Sequence, residues 1–456
     1  MKAPVLLMLV VPLVPAQAAP AAPDRPEPVA ARIARAVGAV SPAEIEQTVR
    51  ILCGFGTRHP LSHTDSDTAG TGAARRWLEA SYLALVERSG GRLQVSAQPA
   101  RVAVTRPGLP ATLDLVNVVA VLPGVTDPER MYLVGGHYDS RNGDGGDGRR
   151  LAPGANDDAS GTAVALEACR VLCDQRFAAT LVFCAFDGEE QGLLGSEAYA
   201  DALGDRHARV DGMITCDIVG NTLGMDGVRR TGHVRCFSYA PSGNDSIGRS
   251  LARALTRAAR EHVPDFDVQL VFRGDRYGRG GDHRSFFRNG YPAVRLTEPR
   301  EDYSRQHQDV TERDGAPYGD VPEFVDFAYA ANVARVVAAT LAELAAAPPP
   351  PLVREARGAR DAYDTIVEFE LPDGVTDCEF VWRETTAPDW QGAIALAAAG
   401  VAADGAGTRR TARLRGLCLD DLVVGVRSVG ADGARSRVAT PPEPDRFQQR
   451  PQGGRR

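Results

Sequence analysis

The chain has 456 residues, 43% of them hydrophobic, so it is long enough for two domains with filled cores. Its 52 basic residues stand against 59 acidic ones, a formal net charge of −7, which argues against a nucleic-acid partner. Lys2 is the only lysine and falls in a segment expected to be removed, so Schiff-base and lysine-nucleophile mechanisms drop out.

That segment comprises Met1-Lys2, an apolar run from Ala3 to Val14 and the small residues Ala16-Gln17-Ala18, and it reads as a secretory signal over 1–18. It is too short to span a bilayer, and no later run reads as long and apolar enough to do so. The expected protein is therefore exported, extracellular or periplasmic, without a membrane span. Residues 19–40, Pro/Ala-rich at 20–28, are expected to be mobile. Ser41-Pro-Ala-Glu44 then starts a helix with Ser as its cap. Helices near 42–53 and 71–88 precede strands at 94–104 and 114–122, and His59 and His63 between those helices read as surface histidines.

Met131 to His137 is a buried strand that ends in a histidine, with Asp139 two residues on. The Gly/Asp-rich loop Arg141–Arg150 lacks the acid spacing and closing Glu of an EF-hand, and reads as the rim of a site. Pro153 to Gly161 is a glycine-bounded turn carrying Asp157 and Asp158 ahead of a helix over 162–173, where backbone N–H groups favour negative charge. A second buried strand from Thr180 ends in Glu189 and Glu190, and a third from Gly212 carries Asp217. A strand at 233–238, a helix at 245–262 and a strand at 267–272 follow. The Gly/Arg-rich loop Arg273–Gly281 leads to a short helix opened by Asp282-His283, a strand at 292–296 and a long helix at 322–347. Strands alternating with helices predict an α/β domain over 41–347, a mostly parallel mixed sheet flanked by helices.

The prolines Pro348–Pro351 mark a stiff linker over 348–353. Short β-like runs at 365–371, 378–384, 394–399, 412–417 and 422–429 predict a small all-β sandwich over 354–440, and the polar tail 441–456 is expected to be disordered. Of the eight cysteines, Cys169 and Cys173 lie one helical turn apart, and Cys184 and Cys216 sit in apolar strands. The pair to test for a disulfide is Cys378 with Cys418.

A parallel sheet gathers functional groups outside the carboxyl ends of its strands, which brings His137, Asp139, Asp157, Glu189, Glu190 and Asp217 into one crevice. So many carboxylates repel one another unless a cation neutralises them, and imidazole with carboxylate oxygen suits zinc.

At His137-Tyr-Asp139-Ser140, Asn156-Asp157-Asp158-Ala-Ser-Gly, Gly188-Glu189-Glu190, Cys216-Asp217, Gly281-Asp282-His283 and Gln306-His307-Gln308-Asp309 the sequence resembles the M28 family of co-catalytic zinc peptidases, over about residues 45–345. The resemblance implies the fold of the zinc exopeptidases, two Zn2+ ions and peptide or protein substrates. It implies His137, Asp157, Glu190, Asp217 and His307 as ligands, with Asp157 bridging: His137 and Asp217 on one metal, Glu190 and His307 on the other. Glu189 is left as general base, and Asp139 would orient the ring of His137. Asp158 would shape the turn, through a peptide bond before it that is often cis in the family, or act as a helix cap. Asp282 matches a motif near the substrate pocket. Some family members place Tyr before the last His ligand as an oxyanion donor, whereas Gln306 stands here, with Tyr303 three residues away as a substitute. The module after the linker resembles a fibronectin type III domain at 419–436.

The reading is an aminopeptidase. The alternatives are a carboxypeptidase, with Arg276, Arg279 or Arg305 gripping a terminal carboxylate, a single-zinc glutaminyl cyclase-like acyltransferase, or a catalytically dead relative.

Overall fold

The computed structural model describes residues 27–240, 245–403 and 409–442. The expected signal segment, residues 19–26 and residues 443–456 lie outside them. Helices α1 (Val29–Ala39), α2 (Pro42–Gly54) and α3 (Gly70–Leu83) come first. They are followed by β1 (Gln94–Ala103), β2 (Thr112–Leu122), β3 (Asp127–His137), α4 (Ser160–Leu172), β4 (Ala179–Phe186), α5 (Leu194–Asp205) and β5 (Arg209–Cys216). Next come β6 (His233–Ser238), α6 (Ile247–His262), β7 (Asp267–Val271), α7 (His283–Arg288) and β8 (Ala293–Thr297). A two-stranded hairpin of β9 (Thr311–Arg313) and β10 (Ala316–Tyr318) and the helix α8 (Phe327–Ala346) complete this part.

Eight strands form one mixed sheet in the order β1-β2-β4-β3-β5-β8-β6-β7. Its centre, β4-β3-β5-β8, is parallel, while β1 and β2 run antiparallel on one side and β6 opposes β8 on the other. Every residue of β4 is buried, as a strand covered by helices on both faces requires.

Helix α1 corrects the expectation of a mobile stretch up to residue 40. Val29, Ile33 and Ala36 recur on one helical face and are buried, so residues 29–39 pack against α8 instead of moving freely. The sequence also predicts no apolar run able to cross a membrane, yet α8 meets that test by length and composition. Its alanines, valines and leucines supply that hydropathy, and 78% of the apolar window is buried among α1, α2, α4, α6 and the sheet, which makes α8 a core helix.

After Ala346 the chain builds β11 (Leu352–Gly358), β12 (Thr365–Glu370), β13 (Asp377–Glu384), β14 (Gly392–Ala395), β15 (Gly400–Ala403), β16 (Arg409–Leu414) and β17 (Leu422–Val429). They form two antiparallel sheets, β11-β12-β16-β15 and β14-β13-β17, consistent with a β-sandwich. Phe369 and Phe380 meet in the core edge to face with ring centroids 5.2 Å apart. Strand β11 begins inside the predicted linker, so the stiff connection is shorter than 348–353. All eight cysteines are free, so Cys378 and Cys418 are not bridged.

Candidate metal centre

Because β4, β3 and β5 lie side by side and parallel, their carboxyl ends share one edge of the sheet. His137 is the last residue of β3, Asp217 follows β5, and the turn Asp187-Gly188-Glu189-Glu190 follows β4 with Gly188 at φ +72°. The turn ahead of α4 completes the cradle. Gly154 takes φ +50°, the Asp157–Asp158 peptide is cis, and Asp320 accepts hydrogen bonds from the Asn156 and Asp157 N–H groups at 2.8 Å each.

Asp157 stands at the middle. Its Oδ1 lies 3.3 Å from His137 Nε2 and its Oδ2 lies 3.0 Å from His307 Nε2. Around the first contact gather His137, Asp157 and Asp217, and around the second Asp157, Glu190 and His307. Within each group one ligand atom per residue lies within 4.8 Å of the others. Glu190 Oε2 is 3.0 Å from His307 Nε2, and Asp217 Oδ1 is 3.9 Å from His137 Nε2. His307 holds a left-handed φ of +57°, sparsely populated for any residue but glycine and tolerated where function over-determines a position. His137 Nε2 and Glu190 Oε1 are buried without a hydrogen-bond partner, an arrangement that is costly unless a cation satisfies them, while Asp217 Oδ1 already faces the Arg295 guanidinium at 2.8 Å. The two groups share Asp157, and their imidazole-carboxylate donor set fits zinc.

The two neighbouring acids of the turn have opposite fates. Burial works to raise both, but His307 and His137 hold Asp157 well below the usual carboxylate range. Asp158, for which burial prevails, is pushed well above it. Asp158 accepts from the N–H groups of His137 at 3.1 Å, Gly161 at 2.9 Å and Ile218 at 3.2 Å, so it ties the ends of β3 and β5 to the start of α4. Packing there is so close that a Cβ at Gly161 would lie 1.9 Å from the Cys216 carbonyl oxygen. Asp139 accepts from the Glu189 and Glu190 N–H groups at 3.1 and 3.2 Å and lies 3.4 Å from His137 Nδ1, so one carboxylate positions the histidine and both glutamates.

Glu189 Oε2 sits 4.0 Å from His137 Nε2. Burial, with Asp217, Asp282 and Glu190 nearby, pushes Glu189 well above the usual glutamate range even though His137 opposes them. Asp282 is fully buried with neither oxygen partnered, and burial raises it to about 7. Tyr303 falls outside both groups: its side chain is 56% exposed and lines a neighbouring cleft. Gln306 is buried with its amide engaged by Glu301 and Arg279. His59, expected on the surface, is buried, with Nε2 3.1 Å from the Gly145 carbonyl oxygen and its Nδ1 accepting from Leu61 N–H.

Arg295, Glu298 and Asp320 are absent from the sequence reading. Arg295 is fully buried on β8 and pairs with Asp217 at 2.8 Å. A charge inside the apolar run of 292–296 needs a counter-charge, so the rule that singles out Asp217 also applies to Arg295. Glu298 accepts from the Asn156 amide at 2.8 Å and from Asn221 N–H at 2.9 Å, bracing the Asp157 turn.

The family model described as peptidase family M28 matches residues 117–321. A probable zinc metalloprotease of Leptosphaeria maculans is 38% identical over 427 residues, covering 90% of this chain and 96% of the relative. Another, of Pyricularia oryzae, is 39% identical over 435 residues, covering 90% and 84%. This chain belongs to peptidase family M28. It is a zinc metallopeptidase. Among solved structures, the LapA aminopeptidase of Legionella pneumophila shares this M28 chain's fold with a TM-score of 0.53 at 19% identity, covering 72% of this chain and 78% of that one. LapB of the same organism gives 0.51 at 18%, covering 70% and 76%.

Zinc binding to this M28 chain should be pH-dependent. Burial lowers His307, but Glu190 and Asp157 outweigh it and raise the ring to about 10, so a metal must displace a proton there. Apparent zinc affinity is expected to climb by roughly tenfold per pH unit for each proton released. Titration against a chelator-buffered zinc series at several pH values measures it, and a flat profile would contradict the assignment of His307 as a ligand.

Proposed function

We propose that the chain is an exported di-zinc exopeptidase that removes N-terminal residues from peptides, with Glu189 as general base. The observation that carries this reading is Asp157, whose two oxygens face two different histidines at 3.3 and 3.0 Å. His137 and Asp217 would hold one ion, Glu190 and His307 the other, and Asp157 both. Bound zinc supplies Lewis-acid polarisation of the scissile carbonyl and a water of lowered pKa. Glu189, raised by burial and by neighbouring acids, is suited to take a proton from the attacking water and return it to the leaving amine. Asp139 keeps Glu189 and Glu190 apart in role by fixing both backbone N–H groups.

A terminal-carboxylate grip finds little support in the three arginines considered for it. Arg276 is engaged by Asp275 and Glu301, Arg279 by Gln306 and Glu301, and Arg305 by Asp302 with its guanidinium over the Phe324 ring. A single-zinc acyltransferase would leave the group of His137 and Asp217 without purpose. Free-amine peptides are therefore expected to be cleaved and their N-acetylated forms not, with two zinc ions per chain by elemental analysis. Equal rates on both substrates would remove the aminopeptidase reading and leave the zinc site intact, whereas one ion per chain would favour the cyclase-like alternative.

A further inference from the structure

A cleft of about 530 Å3 is bounded on one side by the Gly/Arg-rich loop Arg273–Gly281 and on the other by the segment that leads to His307. Glu301 forms part of its wall and accepts a hydrogen bond from the Gln306 amide at 2.9 Å, so one buried side chain separates the cleft from the residue next to His307. Four arginines line it, Arg235, Arg273, Arg276 and Arg300, against two acids, Asp226 and Glu301.

Both acids are already matched. Glu301 lies 3.1 Å from Arg235, 2.6 Å from Arg276 and 3.5 Å from Arg279, and Asp226 pairs at 2.7 Å with Arg230, which stands outside the cleft. Arg273 and Arg300 remain. Among the described residues neither has a carboxylate within ion-pair distance; Arg300 acts on Asp226 from farther away, and Arg273 lies 5.4 Å over the ring of Tyr277. The mouth is apolar and exposed: Tyr277 is 88% exposed, Met225 64% and Tyr303 56%. A concave site with surplus guanidinium charge, rimmed by aromatic faces and linked through Glu301 and Gln306 to the residue next to His307, is complementary to a carboxylate on a flexible stem.

We propose that this cleft receives a carboxylate of the substrate, in the first instance the acidic side chain of the N-terminal residue being released, so that Arg273 and Arg300 select Glu or Asp over neutral residues. The proposal rests on the reading of Asp157 and its neighbours as the catalytic centre. Arg235 and Arg276 keep Glu301 from competing for the two remaining guanidinium groups, and the exposed rings flank the methylene stem. Tyr303, considered above as an oxyanion donor, belongs here instead.

The test compares kcat/KM for matched peptides that begin with Glu or Gln and are amidated at the carboxyl end, using the zinc-loaded full chain. The Glu peptide is expected to be preferred by about tenfold or more, mainly through KM, since hydrogen bonds to charged groups are the stronger ones. Arg273→Gln and Arg300→Gln should each pull that ratio toward one, Arg300→Glu should invert it, and added salt should compress it. Equal rates on Glu and Gln peptides, or variants that alter both alike, would overturn the proposal while the exopeptidase reading stands. A second arm uses N-acetylated peptides ending in a free carboxylate. If these alone are cleaved, and the arginine variants slow them, the cleft grips a terminal carboxylate and the aminopeptidase reading fails separately. If no peptide is cleaved although two zinc ions are bound, both fail together.

Discussion

Glu189→Gln is expected to keep zinc bound and to lower peptide hydrolysis by roughly 10²–10⁴-fold, the usual contribution of a general acid–base group. Glutamine preserves the shape at the end of β4 but cannot accept the proton. Glu189 belongs to neither group of close ligand atoms, whereas its neighbour Glu190 has Oε2 3.0 Å from His307 Nε2. Glu190→Gln should therefore weaken one ion, and excess zinc should partly restore its activity. Asp157→Asn should be the most damaging of the three, because one oxygen of Asp157 belongs to each group. Elemental analysis beside hydrolysis rates separates the cases: zinc lost from Glu189→Gln and retained in Glu190→Gln would reverse the roles, and three variants of undiminished activity would remove the metal site.

The parts of this site that were legible are those in which one residue contradicts its surroundings. His137 ends an apolar strand, Asp217 follows another, and Asp157 and Asp158 sit between glycines, so the cost of burying charge points to them without a structure. Strands with clear hydrophobic runs and turn-rich ends were equally readable, and β6 and β17 span the residues that their patterns predict. Sheet order was not. Nothing local places β4 between β2 and β3, because that depends on crossovers and not on residue periodicity. His59 misled for a related reason: its partners Gly145 and Gln191 lie 86 and 132 residues away, and a polar loop gives no hint that distant segments will cover it. Helix α1 was masked by the Pro/Ala-rich stretch before it, although Val29, Ile33 and Ala36 carry the period of an amphipathic helix.

A chain ending near Ala347 is expected to lose soluble yield or to unfold at a markedly lower temperature, because the β-module is fastened to the catalytic part and not strung beyond it. The module's Arg435 reaches Glu343 on α8 at 2.9 Å, and the same glutamate, only 1% exposed, also holds Arg257 of α6 at 2.9 Å. Ser250 on α6 donates to the Val438 carbonyl at 2.6 Å, Arg253 donates to that of Pro388 at 2.9 Å, and Arg383 pairs with Asp245 at 3.3 Å. At the opposite end, the N–H of Val29 bonds to the Asp432 carbonyl at 2.9 Å, so α1 is anchored by the module as well. Ala434 is buried in the same apolar cluster as α8. Truncation would strip Glu343 of one partner, uncover α6 and release α1, and breaking a single buried ion pair already costs about 3–5 kcal/mol. Arg435→Met is the milder probe: it keeps the module and the stem packing but removes the charge facing Glu343, and should lower Tm by several degrees. A truncated protein that stays soluble, melts where the full chain does and hydrolyses peptides at the full rate would show that these contacts contribute nothing to the catalytic fold.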